Sequence, residues 1–318
     1  MTAERVDLPD GFSRRSFLRH AAWAGAGIAV AVSGGVVTTE MLGAGMLTAD
    51  ASTPRTKADF SFVQISDSHL GFEGKPNPDV AETFQQSIDL VNALPDAPDF
   101  VIHTGDLTHF STVAQFDQAK QMMSAIRAPH VFTLPGEHDS IDGTGRTYLK
   151  IFGAGTVGTG WYSFDHKGVH FISLVNTTSQ QVLGHLGSEQ ISWVVKDVAG
   201  LSSDTPIVVF THIPLFDVYT KWGWGTGDAP ELLHHLKRFA SVTCLNGHIH
   251  QVISRVEGKV GFHSCNATAY PLPKPGRAAG PIPVVTPPGQ LHKYIGIREA
   301  DFAPKFHHPL VSDRLLPR

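Results

Sequence analysis

The sequence predicts an α/β layered fold, and three observations carry that expectation. Short apolar runs rich in β-branched and aromatic residues recur along the chain, and each stops at His, Asp or Gly. Runs of this length and continuity suit strands buried on both faces. Segments with helical patterning lie between them, and strands alternating with helices pack as layers. The composition, 42 % hydrophobic and 17 % charged, is too apolar for a disordered chain.

In chain order, the first residues read as an address rather than as part of the fold. Ser13-Arg14-Arg15-Ser16-Phe17-Leu18-Arg19 sets two adjacent arginines before a Phe-Leu pair and resembles a twin-arginine export signal. An uncharged stretch rich in Gly and Ala follows over residues 21–37, and Ala49-Asp50-Ala51 has the small-x-small pattern of a cleavage site. The alternative is a membrane anchor, since the apolar stretch reaches spanning length if extended to Leu47. Its glycines and Glu40 favour cleavage. The expected organisation is a signal peptide over residues 1–51 and one domain over 52–318. The twin-arginine machinery is then a partner, and the destination periplasmic or extracellular, membrane-tethered if the signal stays uncleaved.

From residue 60 onward the expected strands end in candidate ligands. Residues 60–66 (FSFVQIS) end in Asp67-Ser68-His69, and 100–104 (FVIHT) in Gly105-Asp106. Residues 130–135 (HVFTLP) end in Gly136-Glu137-His138-Asp139, 207–211 (IVVFT) in His212, and 242–246 (VTCLN) in Gly247-His248-Ile249-His250. Helices are expected near 79–93, 113–127, 188–198 and 229–240. Pro78-Asp79 and Ser188 before Glu189 mark two of their starts. In layered sheets ligands bind beyond the carboxyl ends of strands, so these clusters would converge on one place. One His after a strand is usually a loop or core residue; five ligand-rich clusters at strand ends are hard to attribute to chance.

The whole-chain numbers agree. Eighteen His against five Tyr is an unusual supply of the commonest metal ligand. A net charge of −4 leaves no electrostatic footprint for sequence-specific nucleic-acid binding. Cys244 and Cys265 have no metal-binding spacing, so they are either bridged or buried free thiols.

In order, D-S-H, G-D, G-E-H-D, H and G-H-I-H resemble the five-block signature of the calcineurin-like metallophosphoesterases: DxH, GD, GNH(D/E), H, GHxH. The resemblance runs from Asp67 to His250 and implies a β-sandwich flanked by helices. It implies that Asp67, His69, Asp106 and His250 hold one metal ion. Asp106, Glu137, His212 and His248 would hold a second, with Asp106 bridging. His138 would protonate the leaving oxygen and Asp139 would orient it. Such donors suit Zn, Mn or Fe, and two ions can activate a hydroxide for in-line attack. The glycines before Asp106, Glu137 and His248 are expected to turn the backbone sharply into the site. The implied activity is hydrolysis of a small phosphate ester, first a phosphodiester. The alternatives are a phosphomonoesterase or a metal-bound binding protein of weak activity.

One block departs from the family: Glu137 stands where Asn is usual. Its extra negative charge would compensate for a trivalent ion, or would bind a divalent ion at some cost in activity, or Glu137 would point away and leave the second site weak. His109 after Asp106 disfavours the purple acid phosphatase branch, and Leu107-Thr108-His109 disfavours the protein phosphatases. The GDLT sequence looks more like bacterial cyclic-nucleotide phosphodiesterases. The loop Lys221-Trp222-Gly223-Trp224-Gly225-Thr226-Gly227 either borders the site or packs its own aromatics. Residues 270–290 are Pro-rich and read as an irregular strap without chemistry, followed by a final strand over 291–298.

Overall fold

Two β-sheets face each other across a phenylalanine-rich core, with helices on both outer faces. The computed structural model describes residues 30–33, 36–39, 59–178, 182–303 and 308–318. The twin-arginine motif, the small-x-small site and the expected domain start at Ser52 lie outside them. The strands are β1 (Val30–Ser33), β2 (Val36–Thr39), β3 (Phe60–Ile65), β4 (Phe100–His103), β5 (Val131–Thr133), β6 (Tyr162–His166), β7 (Val169–Ser173), β8 (Ile207–Thr211), β9 (Val242–Asn246), β10 (Ile253–Glu257), β11 (Val260–Ser264), β12 (Gly296–Phe302) and β13 (Leu310–Leu315). The helices are α1 (Val80–Asn92), α2 (Val113–Met123), α3 (Arg146–Phe152), α4 (Ser188–Asp197) and α5 (Ala229–Leu236). Among the described residues no helix is long and apolar enough to cross a membrane.

One sheet runs β13-β12-β3-β4-β5 and the other β1-β2-β10-β11-β9-β8-β7-β6. β3, β4 and β5 are parallel, as are β7, β8, β9 and β11. Phe62 stacks on Phe100 at 4.8 Å and meets Phe171 and Phe210 edge-on at 5.7 and 5.8 Å, crossing from one sheet to the other. Each such ring pair adds about 0.5–1.5 kcal/mol beyond its area burial. Phe84 and Ile88 of α1 and Phe116 of α2 cover the outer face of the five-stranded sheet. Ile191 and Val194 of α4 and Leu232 and Leu236 of α5 cover the other. This is the expected layered sandwich.

Several boundaries moved for local reasons. Asp79 caps α1 as expected, its carboxylate accepting from the Glu82 N–H at 2.9 Å. Ser188 is not a cap but the first residue of α4. The preceding turn is held by Asp228, which accepts from Leu186 and Gly187 N–H at 2.8 to 3.1 Å. α2 stops at Met123 rather than near 127, where the Asn92 side chain takes the Ala125 carbonyl and the Arg127 N–H. The strand expected over 291–298 begins only at Gly296, as β12, because Leu291–Lys293 form a 3-10 turn, and it is not the last: β13 follows it. Cys244 and Cys265 are buried free thiols. Burial pushes both up in pKa, Cys265 to about 12, which leaves them unreactive.

Candidate metal centre

The carboxyl ends of β3, β4, β5, β8 and β9 meet at one edge of the sandwich, and all seven candidate ligands come with them. Backbone bonds stitch the loops together: Asp67 N–H donates to Gly105 O, and His69 N–H to Asp106 O. The loops are wound unusually tightly. Asp67, His69, Asp106, His248 and His250 all have left-handed backbone, with φ between 45° and 69°. That conformation costs a non-glycine residue roughly 1–2 kcal/mol. Its concentration at five ligands marks a site where position outweighs local stability.

Glycine works here mainly through close approach. A Cβ on Gly136 would lie 2.0 Å from Asp106 Oδ1, and one on Gly247 would lie 2.0 Å from Ser66 Oγ. Neither glycine has positive φ, so the expected sharp turn is not their reason. At Gly105, with φ +94°, it is.

Asp106 Oδ2 lies 3.5 Å from His69 Nε2 and 3.4 Å from His212 Nε2. On the His69 side, His250 Nε2 is 3.3 Å from both His69 Nε2 and Asp67 Oδ1. On the His212 side, Glu137 points inward, which removes the expectation that it might face away. Its Oε2 is 2.8 Å from His212 Nε2 and its Oε1 is 2.8 Å from His248 Nδ1. Those close pairs do not satisfy one another: Glu137 Oε2, His212 Nε2 and His248 Nδ1 are buried without a hydrogen-bond partner. Buried polar atoms converging without bonding suit a shared cation. On the His69 side the 3.3–3.5 Å spacings also fit one, since tetrahedral ligands at about 2.0–2.1 Å from a metal stand about 3.3 Å apart.

The outer ring nitrogens are fixed. His212 Nδ1 pairs with Thr104 O at 2.7 Å and His250 Nδ1 with Tyr270 O at 2.6 Å, so each aims Nε2 at the centre. Burial would neutralise Asp67, but the His250 and His212 charges outweigh it and hold its pKa at about 2. Glu137 is likewise held well below the carboxylate range, by His248 and His212 against burial. His69 is kept neutral by burial and by neighbouring imidazoles. Burial works against a proton on His212, but the Asp106 and Glu137 carboxylates hold one there; a cation would displace it.

Asp139 does not orient His138. Both its oxygens are taken by other donors: Leu107 N–H and Gly136 N–H at 3.0 Å each, Thr108 N–H at 2.9 Å and Thr108 Oγ1 at 2.8 Å. It ties the second block to the third. Burial and the Asp106 charge push its carboxyl up to about 7, and the backbone donors pull the other way. The His138 ring is held instead by His109, whose carbonyl accepts from Nδ1 at 2.9 Å and whose ring stacks on it at 4.6 Å. Burial lowers the pKa of His138, but the Asp106 and Glu137 charges prevail and raise it.

Two participants were missed in the sequence. His109 belongs to none of the five blocks, although a His three residues after Asp106 is a visible signal. Tyr270 opens the supposedly inert strap, yet its ring stacks on His69 at 5.0 Å and its carbonyl fixes His250. The tryptophan loop divides: Trp224 is buried in the protein, whereas Trp222 lies edge-on to it at 5.1 Å and lines a cleft beside Glu137 and His248.

Buried His and carboxylate groups converging from five strand ends define a class of metal-assisted hydrolase. Comparison with known proteins agrees. Residues 60–252 match the calcineurin-like phosphoesterase family model, and the chain belongs to that family. It is 25 % identical over 224 residues to a probable cyclic nucleotide phosphodiesterase of Synechococcus sp., covering 69 % of this chain and 85 % of that one. It is 22 % identical over 215 residues to a probable glycerophosphodiester phosphodiesterase of Arcobacter nitrofigilis, covering 62 % of this chain and 74 % of that one. A dimetal phosphatase from Danio rerio shares the fold with a TM-score of 0.63 at 12 % identity, over 82 % of this chain and 98 % of that one. The protein is a hydrolase acting on phosphoester bonds.

Proposed function

We propose that this protein hydrolyses phosphodiesters at two metal ions. Asp67, His69 and His250 would hold one ion, Glu137, His212 and His248 would hold the other, and Asp106 would be shared between them. The observation that carries this is the place of Asp106 Oδ2, within 3.5 Å of an inward-facing imidazole nitrogen on each side. When bound, ions of the Zn, Mn or Fe type supply positive charge against the phosphate and acidify water.

The chain's own groups do the rest. His138 donates Nδ1–H to His109 O, and the nearby Asp106 and Glu137 charges favour its imidazolium form, whose Nε2–H would supply the proton that the leaving alkoxide needs. Asp139 serves as a positioning residue that locks the loops bearing Asp106 and His138. Three inward carboxylates, Asp67, Asp106 and Glu137, leave two divalent ions with less net charge than a site with Asn in place of Glu137. A lower charge favours the singly charged diester over the doubly charged monoester, and the phosphodiesterase names of both relatives support that choice.

The test uses the chain from Ser52, apo and loaded with manganese, zinc or iron, on a dialkyl phosphodiester and the matching monoester. Metal-dependent hydrolysis with diester turnover exceeding monoester turnover is expected. Monoester-only turnover would overturn the diester assignment.

We also propose export by the twin-arginine route, resting on residues 13–19 and 49–51 alone. Cleavage there would remove β1 and β2 and leave β10 as a sheet edge. Cell fractionation of the protein with and without an Arg14→Lys, Arg15→Lys double substitution checks this. Unchanged location would contradict it.

A further inference from the structure

A cleft of about 320 Å³ opens from the metal centre, with Glu137 and His248 in its wall. Its other walls carry the apolar Ile141, Val182, Leu183, Ile213 and Trp222 beside Ser140, Asn176 and Thr177, and among the described residues none lining it is Lys or Arg. The polar side chains there are already committed, with one exception. Asn176 bonds Ile213 and Thr226 through both ends of its amide, and Thr177 Oγ1 bonds Pro135 O. Ser140 is 3 % exposed, and its Oγ has no partner. A buried hydroxyl left unpaired is costly, and a cleft wall is where a ligand can relieve it. Ile141 and Val182, at 52 % and 76 % exposure, continue the apolar lining onto the rim.

Apolar side chains, polar groups already bonded within the protein, one unpaired neutral hydroxyl and no Lys or Arg characterise the described lining beside the scissile phosphorus. We infer that the substrate is a phosphodiester with one uncharged, apolar arm, which occupies this cleft against Trp222 while the phosphate sits at the metal centre. This rests on the phosphodiesterase assignment above. A second phosphate or a carboxylate on the arm would find no Lys or Arg to pair with among the described lining residues. Trp222 is a specificity-determining residue rather than a catalytic one.

The experiment holds the leaving group constant and varies the arm. Metal-loaded protein is given 4-nitrophenyl phosphodiesters whose second arm is methyl, phenyl, hexyl or carboxyethyl, each rate being divided by that of hydroxide alone. The expected result is a normalised kcat/KM at least about tenfold higher for phenyl or hexyl than for methyl, carried by KM, with carboxyethyl below methyl. Preference for phenyl assigns a flat, base-like arm, and preference for hexyl an acyl-like one. Trp222→Ala should collapse the ratio. Val182→Ser, at an exposed position that folding does not need, should lower it in the same direction.

Methyl and phenyl diesters turned over equally, or a carboxyethyl arm accepted as well as hexyl, would overturn the inference while leaving the phosphodiesterase assignment standing. So would a ratio that neither variant moves. Turnover of 4-nitrophenyl phosphate with none of the diesters would instead remove the phosphodiesterase assignment, and this inference with it.

Discussion

The two halves of the metal centre are built differently. The Asp67–His69–His250 half is buried: these residues are 0 %, 2 % and 3 % exposed, and all three have left-handed backbone. The Glu137–His212–His248 half opens toward solvent at two of its residues, with 37 % of the Glu137 side chain and 13 % of the His248 side chain exposed, while His212 stays buried. Only His248 among the latter has left-handed backbone. The difference assigns labour. The first half is rigid, closed and wrapped by Tyr270, suited to retaining an ion. The second borders the cleft, suited to exchange and to meeting substrate.

Asp106 touches both halves, so its loss should break both. Asp106→Ala is expected to lower diester turnover on the order of 10³-fold or more and to leave purified protein short of both ions by elemental analysis. Retention of two ions would show that the halves assemble independently. His138→Ala should sharpen the picture by sparing both ions while reducing kcat about 10²–10⁴-fold on an alkyl diester. The loss should shrink with a nitrophenolate leaving group, which needs little protonation. An equal loss on both substrates would remove His138 from the leaving-group role.

Glu137→Asn acts on the open half alone. Affinity for the second ion should fall at least about tenfold, read by competition with a chromogenic chelator, while the first ion stays bound. Equal weakening of both ions would erase the asymmetry. If Glu137 serves a trivalent ion, iron content should fall selectively in this variant.

Far from the centre, His170 sits between Asp165 at 2.8 Å and Asp197 at 2.9 Å. Burial disfavours its charged form, but hydrogen bonds to both carboxylates prevail and raise its pKa. A raised folded-state pKa contributes stability that is full below the unfolded value of about 6.5 and fades as pH climbs through the folded one. Urea denaturation at pH 6 and pH 8.5 should show His170→Asn losing on the order of 1 kcal/mol or less at the lower pH and less at the higher. The opposite order would contradict the pairing, and the substitution should leave metal content unchanged at each pH.

How much of this was legible depended on range. The strands ending in ligands are local patterns, and β3, β4, β8 and β9 lie within a residue or so of where their apolar runs place them. β6 and β7 were missed because neither Tyr162–His166 nor Val169–Ser173 ends in a ligand block, the feature by which β3, β4, β5, β8 and β9 were read. The ligand clusters could be read because each block sits at one strand end. Asp139 was misread because adjacency to His138 in sequence suggested contact, whereas its partners are Leu107, Thr108 and Gly136. Tyr270 was invisible for the complementary reason: it reaches His69 only through the folded sandwich.

The asymmetry of the centre is tested most directly by stepwise chelation of fully loaded protein, following bound metal, diester turnover and circular dichroism together. The expected result is two ions, with turnover lost on release of the first while the fold and the other ion remain. A single bound ion at full activity, or loss of both ions in one step with unfolding, would contradict it.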